Sequence, residues 1–241
     1  MSHQRRSEAG CVCYTFSMTI NESKLRELVR VFLEENKKLN LSAFRTEEHC
    51  YVGNVLDSLS FLEALDNIHG LNAPETLLDI GTGGGFPLLP LAICLPKTHC
   101  SGIDATKKKI DAVQRIVTSL GLTNVGLFAQ RLEDKARDKN FREKFDVVTA
   151  RAVAPLSVLL EYAVPFLKVG GFCAFWKSSK VADELAESVR AQKALSVQFA
   201  GTYEYELSSD FGKRLIVFFK KLKETSREYP RKVGIPKSSP L

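Results

Sequence analysis

The chain has 241 residues, 44% hydrophobic and 26% charged, a balance that fits a folded globular protein and excludes a disordered or collagen-like one. No apolar run approaches the roughly 18–20 residues of a membrane-spanning helix, and the opening MSHQRRSEAGCVCYTFS has too short an apolar part for a secretory signal. Six cysteines lie scattered without CxxC spacing and apart from four histidines, which argues against a zinc site or a disulfide framework and for reduced thiols in the cytoplasm; the formal charge is +6.

Residues 1–17 show no periodicity and are predicted to be a disordered tail, with Met18 as the functional start. A helical region is expected over 18–72. Thr19 and Glu22 have capping-box spacing. Leu25, Leu28, Val29, Phe32 and Leu33 then fall on one helical face. A second helix is predicted over about 54–66, with Val55, Leu56, Leu59 and Leu62 inward.

From residue 73 to 222 the rhythm is strand, turn, helix. TLLDI, HCSGID, VGLFAQ, FDVVTA and FCAFW read as buried strands. Between them lie helices at PLLPLAICL, at TKKKIDAVQRIVTSLG with Gly121 as its stop, from Pro155 to Leu167, and near 181–194. SVQFAGTYEYEL and RLIVFFKKL follow with no helix between them. Alternating strands and helices predict an α/β fold with a mostly parallel sheet, here of seven strands, closed by an antiparallel edge. Residues 223–241 form a basic tail with three prolines. From Lys220 onward there are seven Lys/Arg against two Glu. Such an excess fits a polyanion such as nucleic acid, although charge alone equally describes a solvated tail.

The first predicted strand runs into LLDIGTGGGFP, where Gly81, Gly83, Gly84 and Gly85 fill four of five positions. In such sheets ligands sit beyond the carboxyl ends of the strands, and glycines there let a ligand touch the main chain. A tight turn alone needs one or two. A dinucleotide fingerprint counted from Gly81 would require Gly or Ala at Phe86, which is followed by Pro87. This weakens a nicotinamide-dependent oxidoreductase. The spelling acid-x-Gly-x-Gly-x-Gly fits Asp79, Gly81, Gly83 and Gly85 at every position. It resembles the signature loop of Rossmann-like class I methyltransferases that use S-adenosylmethionine. Asp79 can hold the cofactor's ammonium while loop amides face its carboxylate. Asp104, 23 residues after Gly81, can accept both ribose hydroxyls, though a strand-end Asp also serves as a helix cap. Leu132 and Glu133, after the third strand, fall where this class holds adenine.

The fourth strand ends in TARAVAPL and carries neither an Asn/Asp-Pro-Pro-aromatic signature nor a Pro-Cys pair. Arg151 arrives there instead, as a positioning group or as the partner of a carboxylate. An acceptor such as guanine N7, which bears no proton, needs no base, and alignment then carries the catalysis.

NLSAFR (40–45), VLDSL (55–59), LLDIGTGGGFPLLPLAI (77–93), DATKKK (104–109), TARAVAPL (149–156) and YPRKVGIPKSSPL (229–241) together resemble the bacterial small-subunit ribosomal RNA guanine-N7 methyltransferase family, RsmG (formerly GidB), from about Asn21 to Leu241. The resemblance implies S-adenosylmethionine as donor and, as acceptor, a guanine in the 530 loop of 16S ribosomal RNA, free or in the 30S particle. It implies a monomer without membrane contact. It implies cofactor contacts at Gly81, Phe86, Asp104, Ala105, Thr106, Leu132, Glu133 and Arg151, and it matches Lys177 to a lysine that faces the RNA. It raises the tail residues Arg227, Tyr229, Arg231, Lys232 and Lys237 to RNA contacts on an extended, proline-stiffened segment. One departure stands out. The family has Arg-His before its LDS segment, and this chain has Gly53-Asn54. Asn54 would then do a histidine's work without its charge. Two alternatives remain on the same fold: a small-molecule methyltransferase, and a non-catalytic S-adenosylmethionine-binding RNA or division factor.

Overall fold

The computed structural model describes residues 20–151, 154–178, 181–208 and 210–241. The tail and start expected at 1–18, and the capping Thr19, lie outside the described residues. Helix α1 (Glu22–Leu39) is capped by Asn21, whose side-chain oxygen accepts from the Lys24 amide at 3.0 Å. Glu22 sits in the first turn and pairs with Arg26. The predicted face is the buried one: Leu25, Leu28, Val29 and Phe32 are each at most 1% exposed.

The single helix expected over 54–66 is corrected. The chain forms α2 (Glu47–Cys50), a π-helical turn over Tyr51–Leu56, and α3 (Asp57–Ala64). The apolar spacing at 55, 56, 59 and 62 is right, but a helical period does not reveal a widened turn. Such turns recur at functional sites, and this one carries Gly53 and Asn54.

The sheet has seven strands in the order β3-β2-β1-β4-β5-β7-β6. Strands β1 (Thr76–Ile80), β2 (His99–Asp104), β3 (Val125–Ala129), β4 (Phe145–Arg151) and β5 (Leu167–Ser178) are mutually parallel. Strand β7 (Lys213–Lys221) runs antiparallel to both β5 and β6 (Val197–Glu206). The antiparallel strand thus lies one place inside the edge that β6 forms. Helices α4 (Leu88–Cys94), α5 (Lys107–Ser119), α6 (Leu132–Lys135) and α7 (Leu156–Ala163) make the crossovers. The helix expected near 181–194 breaks at Ser188 into α8 (Val181–Glu187) and α9 (Val189–Leu195).

Strand alternation sorts the core into two layers. Leu77, Val147, Trp176, Ile216 and Phe218 pack with α1, α3, α4 and α5. Leu78, Val148, Phe175, Val217 and Phe219 pack with α7 and α9 on the other face. The N-terminal helices are therefore part of one layer. Arg115 of α5 reaches across to Glu35 of α1 at 2.6 Å.

The extended strap expected for the last residues is also corrected. The chain after β7 folds back and ends in a helical turn, α10 (Ile235–Ser238). Arg142 donates to the carbonyls of Thr225 (2.8 Å), Ser226 (3.0 Å) and Tyr229 (2.9 Å), and Arg137 donates to that of Pro230 at 2.6 Å. Backbone carbonyls that proline spacing leaves free are captured by arginines from residues 137–142, which periodicity cannot foresee.

Candidate functional site

The chain passes from β1 through β2 and β3 on one side, then returns to β4 on the other side of β1. The switch opens a crevice at the carboxyl ends of β1 and β4. The glycine loop lies there. Gly81, Gly83 and Gly85 have φ of 67°, 54° and 90°. At Gly85 a side chain is also sterically barred, because a Cβ would lie 2.7 Å from Leu89 Cδ1. The loop turns directly into α4 as the Leu89 amide donates to Gly85 O at 2.8 Å.

Asp79, 1% exposed, is the last residue but one of β1, just before this loop. Its Oδ1 accepts from the Thr149 hydroxyl at 2.8 Å. Among the described residues its buried Oδ2 has no partner in good hydrogen-bond geometry, and neither has the adjacent buried Thr82 Oγ1, the neighbour whose hydroxyl acts on this carboxyl. Burial pushes the Asp79 carboxyl up to about 7, against the pull of the adjacent Thr82 hydroxyl first, then of the Thr149 hydroxyl and the Arg151 charge. A buried acceptor with a free lone pair in a ligand crevice is an unmet demand for a donor.

Asp104 ends β2, half-buried. Its Oδ2 accepts from the Gly83 amide at 3.1 Å and its Oδ1 from the Thr106 amide at 2.7 Å. It forms a turn with the Thr106 amide ahead of α5, whose N-cap is Thr106 without a side-chain capping bond, and it braces the glycine loop. A carboxylate has about four acceptor sites, so two remain for a diol. Ala105 and Thr106 are exposed beside it. Phe86 is buried edge-on against Phe32 of α1, ring centroids 4.9 Å apart. Glu133 at the start of α6 is only 5% exposed, and its Oε1 accepts from the Gly234 amide at 2.9 Å. The third-strand loop and the C-terminal segment are thereby joined.

Arg151 ends β4 and faces the N-terminal helices. It donates to Asp57 Oδ2 (2.9 Å), Asn54 Oδ1 (2.6 Å) and Gly53 O (3.1 Å), and its Cζ lies 5.7 Å from the Phe86 ring centroid. Asn54 is buried and also donates weakly to Cys50 Sγ. Gly53 is held between rings: a Cβ there would lie 2.4 Å from Phe44 and 2.5 Å from Phe211. Where the resemblance implies Arg-His, this chain has a residue with no side chain and an amide that partners Arg151.

Asp57 is the residue that sequence reasoning missed. It is fully buried and accepts from Arg151 and from the Tyr205 hydroxyl at 2.6 Å, with Arg214 at 3.5 Å, while its carbonyl accepts from the Trp176 indole at 2.8 Å. Burial and the adjoining Asp57 raise the Tyr205 phenol well above its ordinary range, so it stays a donor. The available signal was an Asp in the otherwise buried run VLDSLS. A charge placed there must have partners.

Lys177 is not free to meet a ligand. Its ammonium donates to Ala154 O and to Glu184 Oε2, both at 2.7 Å. Glu184 also accepts from the Leu156 amide at 3.0 Å, so the pair ties Ala154 to the start of α7. Arg231 is engaged in the same way. It holds the fully buried Glu161 in a fork, with contacts at 2.9 Å and 2.6 Å. Arg227, Lys232 and Lys237 are exposed, and Tyr229 is half-buried.

A family model described as rRNA small subunit methyltransferase G matches residues 21–206. The chain belongs to this family. Among curated relatives, "Ribosomal RNA small subunit methyltransferase G" of Geobacillus kaustophilus is 39% identical over 211 residues, covering 88% of this chain and 87% of that one. The protein of the same name from Carboxydothermus hydrogenoformans is 39% identical over 229 residues, covering 94% and 95%. Among solved structures, an O-methyltransferase from Bacillus cereus in complex with SAH superposes with a TM-score of 0.59 at 18% identity, over 83% of this chain and 91% of that one. The cyclase SpnF does so with 0.52 at 15%, over 69% and 80%. These remote likenesses show the fold alone, and a cyclase among them shows that the fold does not choose the reaction.

The residues of this crevice fit the donor that this methyltransferase family implies. The buried Asp79 Oδ2 without a partner matches an ammonium, the left-handed loop leaves its backbone open, and Asp104 retains acceptor capacity for a ribose.

Proposed function

We propose that this protein transfers a methyl group from S-adenosylmethionine to N7 of a guanine in the 530 loop of 16S ribosomal RNA, acting in the bacterial cytoplasm as a monomer without membrane contact. Family membership supports the methyl transfer and the small-subunit RNA. The observation that carries the donor is the unpartnered Oδ2 of buried Asp79 under the glycine loop. No helix among the described residues is long and apolar enough to cross a membrane.

S-adenosylmethionine supplies, when bound, a methyl already activated on a sulfonium. Asp79 would hold its ammonium, Gly81, Gly83 and Gly85 would leave room for its amino-acid end, and Asp104, Ala105 and Thr106 would take its ribose. Leu132 and Glu133 would border its adenine, with Phe86 as floor and Arg151 as the boundary toward the acceptor. The acceptor N7 lone pair lies in the ring plane and carries no hydrogen, so no side chain has to remove a proton. The protein's part is alignment and exclusion of water. Asn54 and Arg151 act as positioning groups. Arg227, Tyr229, Lys232 and Lys237 supply contacts to RNA backbone, on a segment that Arg231 anchors.

Labelled methyl transfer to small-subunit particles lacking the modification, followed by chemical cleavage at N7-methylguanine, tests this reading. A single cleavage in the 530 loop is expected. Donor binding without transfer would support the non-catalytic alternative, and transfer to a small molecule without RNA the other.

A further inference from the structure

A cavity of about 520 Å³ opens at the carboxyl ends of β4 and β5, roofed by the β6–β7 hairpin, and its described lining includes Arg151, Trp176, Tyr205, Phe211, Lys213 and Arg214. Its volume lies in the roughly 300–1,000 Å³ range of small-ligand pockets. The cations in it are not alike. Arg151 is satisfied by Asp57, Asn54 and Gly53. Arg214 is not: its Nε is buried with no partner, and its one contact with a carboxylate, to Asp57, is 3.5 Å long. Among the described residues no carboxylate pairs with Lys213. Phe211 stands beside them, half-buried, its ring 5.7 Å from Phe44 and 6.1 Å from His49.

Methylation at N7 leaves the purine ring positively charged. Unpaired cations beside it therefore do not serve the reacting atom. They suit a ligand that brings its own negative charge. A flat ring backed by other aromatics suits a base taken out of its stack.

We propose that this cavity is the seat of the acceptor as an unstacked purine nucleotide, with Phe211 stacking on the base and Arg214, helped by Lys213, holding its phosphate. The proposal rests on the methyl-transfer reading above and deepens it. Asp57 sets the division of labour: it engages Arg151 fully and Arg214 loosely, so one arginine is wall and the other is ligand. Gly53 is part of the same construction, because any side chain there would displace Phe211.

The test uses the full chain and small-subunit particles lacking the modification. Phe211→Ala and Arg214→Ala are expected to raise KM for the particle roughly 5- to 150-fold, the range for losing one stacked base or one charge-assisted bond. The affinity for S-adenosylmethionine should be unchanged in both. Phe211→Trp should restore most of the particle affinity, which a merely structural role would not predict. Unchanged kinetics, or a parallel loss of donor binding, overturns the assignment. Wild-type protein that fails to methylate RNA at N7 would instead overturn the function. In that case the cavity is judged by the fluorescence of the chain's single tryptophan, Trp176, with guanosine 5′-monophosphate against guanosine. Saturable binding of the nucleotide, at least tenfold weaker for the nucleoside and for the Arg214→Ala chain, supports the site. Equal binding, or none, removes it.

Discussion

The two halves of the crevice are built on opposite electrostatic plans. On the side proposed for the donor, at the ends of β1 and β2, buried polar atoms lack a well-placed partner among the described residues: Asp79 Oδ2 and Thr82 Oγ1. On the acceptor side, at the end of β4, Asp57 is surrounded by Arg151, Tyr205 and Arg214, and Asn54 completes Arg151. The first half carries an unmet requirement that a cationic ligand relieves. The second half is a network gathered on Asp57, complete at Arg151 and left open at Arg214, whose buried Nε has no partner among the described residues. A carboxylate is therefore a binding group on one side and a structural hub on the other, and the number of its partners tells which.

Removing the hub should give the largest effect. Asp57→Asn leaves two arginines without their buried counter-charge, and the expected loss of stability is about 3–5 kcal/mol, read by urea denaturation. Asp79→Asn should do the reverse. It removes a buried, partly unsatisfied carboxylate, so stability should hold or rise, while donor affinity falls about 10- to 150-fold with one charge-assisted bond. Comparable unfolding free energies for these two variants would break the contrast.

The pH dependence sharpens it. Folded Asp79 retains its proton up to about 7, while the unfolded chain releases it near the ordinary 3.8. Its contribution therefore favours the fold below about 3.8 and is lost as pH rises through about 7. Donor binding moves in the opposite sense, because an ammonium prefers the ionised form. Affinity for S-adenosylmethionine should climb as pH rises toward 7 and level off above it, and calorimetric titration of the Asp79→Asn chain should show no such climb.

The C-terminal segment divides on the same principle. Arg231→Met strands the fully buried Glu161 and should lower thermal stability by several degrees, and through the Gly234–Glu133 contact it should also weaken donor binding. Lys232→Ala with Lys237→Ala should leave stability within about 0.5 kcal/mol. The double change is expected to reduce the salt slope of RNA binding by about 1–2, the smallest effect of the set. An unchanged slope would return these lysines to the solvated surface.

The contrast also explains what could be read in advance. The alternation of strands and helices, the glycine loop and the buried face of α1 were legible, because each is a local pattern whose physical requirement lies within a few residues. Leu25 to Phe32 show a period, and Gly81 to Gly85 show a backbone that admits no side chains. The π-helical turn was not legible, since Gly53 and Asn54 take their positions from Phe44, Phe211 and Arg151, the last two more than 90 residues away. Arg231 looked like a free cation for the same reason, because Glu161 lies 70 residues earlier in the chain.

By itself, then, the sequence determined the α/β alternation and the place of the glycine loop, since these follow from short-range spacing of glycine and apolar residues, and its motifs carried the resemblance to the methyltransferase family. Only the tertiary structure decided which charges are available. Asp57, Arg151, Lys177 and Arg231 are engaged and Arg214 only loosely, because ion pairing depends on distances of a few ångströms between segments far apart in the chain, and no linear pattern records them.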